Sequence, residues 1–155
     1  MGKREIDFEI QEMAFKKILV AVDEDDSSSS RKAFNYAVTF AHAAKVPLGI
    51  VTILETKDLN LLESMQPEVL EGRREAMQAL VNEYVKKAKE FGVIEVDAFI
   101  GEGKPGKVIV QSILPEFKPD LLICGSETED KNSIFIGTQA SYMSQNAPCS
   151  VIVVR

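Results

Sequence analysis

Apolar positions fall along this chain in two rhythms. The run Ile18-Leu19-Val20-Ala21-Val22 is unbroken, and Leu48–Leu54, Leu121–Cys124 and Ser150–Val154 repeat the pattern. Continuous apolar runs of this length predict strands covered on both faces. Val93–Ile100 alternates apolar with polar residues, which predicts a strand at a sheet edge. Between the runs, apolar residues recur every three or four positions, the period of an amphipathic helix. One such stripe is Ala33, Phe34, Ala37, Phe40, Ala41 and Ala44, with Ser30 placed to cap the helix and Pro47 to end it. A longer stripe, Val69, Ala76, Met77, Leu80, Tyr84 and Ala88, finishes with Lys86, Lys87 and Lys89 on the negative end of the helix dipole and Gly92 as its cap.

The punctuation supplies the remaining elements. Leu59–Pro67 reads as a loop or short helical turn. Gly101-Glu102-Gly103-Lys104-Pro105-Gly106 is a tight loop whose proline suits the first turn of a helix carrying Val108, Ile109, Ile113 and Phe117, and Pro119 stops that helix. Gly137 opens a short helix over Thr138–Asn146, and Ala147-Pro148 leads into the last strand. Five strands alternate with four main helices, without a repeat. That order predicts a single-domain α/β fold with an open, mostly parallel five-stranded sheet and helices on both faces. Residues 1–14 stand apart as an N-terminal extension, an amphipathic arm or a tail, ahead of a domain over 15–155.

Composition narrows the function classes. Net charge −6 argues against a basic surface for nucleic acid or anionic membrane. The chain lacks a bilayer-length apolar run and an apolar leader at its start, which predicts a cytoplasmic protein. Cys124 and Cys149 sit in or beside apolar strands as small hydrophobes, and a disulfide is not expected in that compartment. The single histidine, His42, falls late in a helix. One His and two Cys without ligand spacing offer neither a nucleophile–imidazole pair nor a zinc site. Met77, Tyr84, Tyr142 and Met143 read as core or helix-interface residues.

In sheets of this class ligands bind beyond the carboxyl ends of the strands. Asp23 ends the first strand and Gly125 the fourth, and the helix opening at Gly137-Thr138 offers backbone N–H groups to an anion. The motifs Lys17-Ile18-Leu19-Val20-Ala21-Val22-Asp23, Gly103-Lys104-Pro105, Asp120–Gly125 and Ala147-Pro148-Cys149-Ser150-Val151-Ile152-Val153-Val154, in that order, resemble the universal stress protein family. The resemblance implies a Rossmann-like, adenine nucleotide alpha hydrolase-like sheet in strand order 3-2-1-4-5. It implies a homodimer through the C-terminal strand, an unidentified protein partner and a regulatory role in stress survival. It also implies an adenine nucleotide, ATP or AMP with Mg²⁺. Asp23 would contact the nucleoside, Ala21 and Ile53 would flank the base, and Gly125, Gly137 and Thr138 would meet phosphate.

The chain departs from the family's glycine pattern at Thr128, which replaces the second Gly, and its third Gly comes one residue early. Ala140 stands where a second hydroxyl holds phosphate, and Ala21 replaces a common Pro. Asp23-Glu24-Asp25-Asp26 and Glu127, Glu129 and Asp130 make the loops acidic against Lys131. A carboxylate about 4 Å from phosphate costs on the order of 1 kcal/mol in water, comparable to the ~0.3–1 kcal/mol that a helix N-terminus contributes. Three readings follow: a nucleotide-binding regulator, a nucleotide-free interaction module of the same fold, and an enzyme with slow nucleotide hydrolysis. The third lacks a His- or Gly/Ser-rich phosphate-activating cluster after the first strand, so no catalytic residue is assigned.

Overall fold

The structure is a computed structural model and describes residues 2–24, 28–56, 66–126 and 137–155. Its strands are β1 (Ile18–Ala21), β2 (Leu48–Leu54), β3 (Val96–Glu102), β4 (Leu121–Gly125) and β5 (Ser150–Val154). They form one all-parallel sheet in the order β3-β2-β1-β4-β5. The expected fold and strand order are those observed.

Helices α1 (Ser28–Ala44) and α2 (Pro67–Phe91) cover one face. Between them and the sheet lies a core of Ile18, Val20, Ile50, Ile123, Phe34, Ala37 and Tyr84. The other face carries α3 and α4. Helix α3 runs from Pro105–Val108 through a π segment, Ile109–Ile113, to a final turn, Leu114–Phe117, and α4 is Thr138–Asn146. Leu19, Val51, Leu122, Ile109, Phe117 and Met143 fill this second core. The central runs are unbroken in hydrophobicity because alternate residues of each strand enter different cores.

The differences from expectation have local causes. Ser30 lies inside α1, which starts at Ser28. The buried stripe of α1 takes in Val38, while Phe40 stays exposed against Tyr36. In α2, Val81 is buried, whereas Val69 and Ala76 face out. Val93 belongs to the end of α2 rather than to β3. Its N–H and that of Gly92 both reach Ala88 O, Gly92 has φ 117°, and the buried Val93 side chain completes a Schellman cap. The π segment precedes Pro115, which lacks the N–H for a normal helical bond and crowds the carbonyl four residues back. The Leu114 N–H reaches Ile109 O across the wider turn. Most of the predicted loop at 59–67 lies outside the described residues, and Pro67 opens α2.

Residues 2–14 form neither helix nor strand and are exposed throughout. The chain enters the sheet where the Asp120 carboxylate accepts the Lys16 and Lys17 N–H groups at 2.8 and 2.9 Å.

Candidate functional site

The two central strands part at their carboxyl ends. Pairing of β1 with β4 stops at Val20↔Ile123. β1 continues beside β2 to Ala21↔Val51, extended by Val22 N–H to Val51 O at 2.9 Å. β4 continues beside β5 to Gly125↔Val154. The switch in strand order falls between them, and doubly wound sheets place their ligands in the crevice outside the strand ends at such a point.

A chain of contacts gathers most of the predicted residues around this crevice. The Asp23 N–H donates to the buried Ser30 Oγ at 2.8 Å, so the first turn of α1 holds the segment after β1. Gly125 lies against the same turn. A Cβ there would stand 2.6 Å from Ser29 Oγ and 2.9 Å from Ser30 N. Its φ is not in the left-handed region, so glycine is required here by the approach of α1 rather than by a turn. Ser126, buried, donates its N–H to Val154 O at 2.7 Å and accepts the Gly137 N–H at 2.6 Å. That residue ties the start of α4 to the end of β4. Gly137, with φ −62° and ψ 158°, is the N-cap of α4, and its carbonyl accepts the Ser141 N–H.

These bonds change what each residue can offer. The Gly137 N–H is already engaged by Ser126, so donation to an anion falls to the first turn of α4, from the exposed Thr138 onward, whose N–H groups have no intrahelical acceptor. The Thr138 hydroxyl stands at the same end. Ala140 is fully buried in the second core, its methyl serving packing. Ala21 is half-buried on the α3–α4 face. Ile53, on the same face, is almost completely buried, with its Cδ1 pressed over Gly101.

Contacts that the sequence did not reveal join the neighbouring elements. The Gly106 N–H donates to the Gln139 side-chain oxygen at 2.8 Å, docking the start of α3 on the first turn of α4. Gly103, φ 131°, bonds Leu54 O and leaves Lys104 exposed in the adjoining loop. Arg73 of α2 donates to both carboxylate oxygens of Glu24 at 3.0 Å. One charge of the acidic 23–26 run is thereby neutralised. Arg74 likewise holds Glu102 at the end of β3, keeping that carboxyl below the usual range through its hydrogen bond and charge. The periodicity of α2 marks its buried face but says nothing of arginines reaching across from it. Asp25 and Asp26, and the loop with Glu127, Thr128, Glu129, Asp130 and Lys131, lie outside the described residues.

The remaining candidates lie elsewhere. His42 is at the far end of α1, with Nδ1 3.2 Å from Gly92 O and its ring edge-on to Phe91. Both cysteines are free, Cys124 within the sheet and Cys149 half-buried. Among the described residues no helix is long and apolar enough to cross a membrane.

Comparison with known proteins agrees with this frame. A protein of Staphylococcus haemolyticus (strain JCSC1435) named as a universal stress protein is 31% identical over 92% of this chain and 86% of its own length. The solved universal stress protein UspA from Lactobacillus plantarum superposes with a TM-score of 0.79 at 22% identity, covering 93% of this chain and all of that one. The universal stress protein from Archaeoglobus fulgidus, solved in complex with dAMP, superposes at 0.63 and 21% identity, covering 92% of this chain and all of that one. Residues 14–155 match the profile of the Universal stress protein family, and with this sheet order and crevice the chain belongs to that family.

Proposed function

We propose that the crevice between β1 and β4 binds an adenine nucleotide, ATP or AMP with Mg²⁺, and that the protein acts as a nucleotide-responsive regulator in the stress response rather than as a catalyst. The observation that carries this reading is the parting of the central strands beyond Val20 and Ile123, with the N-terminus of α4 tied beside it through Ser126. In this reading Asp23 holds the ribose or base, Ala21 lines the crevice, and Ile53 supports the base from beneath. Gly125 and Gly137 shape the mouth. The Thr138 N–H and hydroxyl meet phosphate. The Glu24–Arg73 pair lowers the electrostatic cost of bringing phosphate to an acidic loop. The dAMP carried by the Archaeoglobus relative suits the same chemistry.

The β5 edge, with Val151, Ile152 and Val153 only partly buried, suits pairing with a second copy or a protein partner. The reading places the protein in the cytoplasm, with residues 1–14 as an extension to a domain over 15–155.

Calorimetric titration with ATP plus Mg²⁺, and with AMP, tests the site. Saturable micromolar binding is expected. Thr138→Pro should weaken it at least tenfold, because proline at the first helical position removes the N–H and hydroxyl while suiting the helix. Asp23→Ala should weaken it comparably. Absence of heat from folded protein up to millimolar ligand would overturn the nucleotide reading and leave an interaction module of the same fold.

A further inference from the structure

The end of the molecule opposite the crevice carries two exposed apolar surfaces that remain apart within one chain. The first is the N-terminal arm, where Ile6, Phe8, Ile10 and Met13 are 75–93% exposed. The second is a depression of about 320 Å³ between the C-terminal ends of α1 and α2, lined by Ala41, His42, Ala43, Lys45, Gly92 and Ile94. Ile94 is 81% and Phe91 54% exposed beside it. We propose that residues 5–13 of one copy lie across this depression on a second copy, and reciprocally, so that two molecules associate by exchanging arms.

Pattern, charge and position support the match. In an extended backbone Ile6, Phe8 and Ile10 share one side while Glu5, Asp7 and Glu9 share the other. Residues 5–13 hold four acids and no Lys or Arg. The formal charge among the lining residues is that of Lys45, and Lys87, one turn before Phe91, lies on the same side of α2. Glu90 and Glu95 are the sequence neighbours of Phe91 and Ile94, so the charge match is to Lys45 within the depression. The depression matches the size of small-molecule and side-chain pockets, large enough for the Phe8 ring with a neighbouring aliphatic group.

The arm leaves the domain at Lys16 and Lys17, at the amino end of the sheet, where Ile18 N–H bonds Pro47 O just beyond the end of α1. Arm and depression therefore share one end of the molecule, and an extended arm of this length reaches roughly 40 Å.

Two measurements on the full chain test this without relying on nucleotide binding. Sedimentation equilibrium should show self-association that Phe8→Glu and Ile94→Glu each weaken at least tenfold; both residues are exposed, so the fold should survive. In a background of Cys124→Ser and Cys149→Ser, protein carrying Ile10→Cys is mixed with protein carrying Ile94→Cys and oxidised. A covalent dimer from the mixture, and not from either protein alone, is expected, since that bond can form only between chains. Association indifferent to both glutamate substitutions would overturn the proposal and assign any dimer to another surface. Absence of a cross-link in the mixture, or equal cross-linking of either protein alone, would overturn it as well.

Discussion

Single residues show where this fold is not at its optimum. The Thr52 hydroxyl is buried in the sheet on the α1–α2 face and has no hydrogen-bond partner among the described residues. A buried hydroxyl without a partner forfeits its hydration for nothing, a cost of about 1–3 kcal/mol. Thr52→Val keeps the branched shape that β2 requires and removes that cost. Urea unfolding should show it more stable by about 1 kcal/mol; a loss of stability would mean the hydroxyl has a partner in solution. Cys149 illustrates burial acting on chemistry instead. Desolvation, aided by the nearby Asp120 carboxylate, pushes its thiol above the ordinary cysteine value. Raising the pKa disfavours the thiolate, which is the reactive form. Labelling of Cys149 by a disulfide reagent should therefore lag an unstructured cysteine at pH 8 and still be accelerating above pH 9. A rate matching the free thiol would show that β5 opens readily.

At the scale of elements, α2 is held by its buried stripe more than by its own backbone preference. Gly72 sits in its interior, exposed, with nothing within 4 Å of where a Cβ would stand. Gly72→Ala restricts the unfolded chain without a clash, and should stabilise the protein by about 0.4–1 kcal/mol in the same unfolding assay. A destabilised variant would indicate that this turn bends or contacts another surface. The same helix shows what was legible in the sequence. Its type and end followed from the spacing of Met77, Tyr84 and Ala88 and from Gly92, because periodicity and caps are local signals. Its arginines were not, since Arg73 to Glu24 joins residues far apart in sequence with no pattern marking the pair. Phe40 and Val38 show a finer limit. Adjacent apolar candidates on one stripe differ by the roll of the helix, which packing decides. Within the site, the strand ends at Asp23 and Gly125 were readable as termini of apolar runs. That Gly125 yields to Ser29, and that Ser126 engages the Gly137 N–H, depends on where α1 and α4 are docked.

Across the whole molecule, the two ends of the parallel sheet carry different chemistry. The carboxyl end has the parted strands, the first turn of α4 and the Glu24–Arg73 pair. The amino end has Asp120 clasping the incoming chain, with the apolar arm and depression beyond it. Between them lie strands whose residues Leu19, Val20, Ile50, Leu122 and Ile123 have no exposed surface. Such packing is too dense to deform gradually, so a ligand at one end stiffens its surroundings without displacing the other. Hydrogen exchange with and without saturating AMP reads this division directly. Slowed exchange is expected at residues 22–24, at Gly125 and Ser126, and in the first turn of α4. The amides of Ile18, Lys45 and Gly92 should exchange at unchanged rates. Protection centred on the depression beside His42 would instead place the nucleotide at the amino end and remove the crevice from consideration. Equal slowing at both ends would show that the sheet couples them, and arm exchange between copies would then depend on nucleotide.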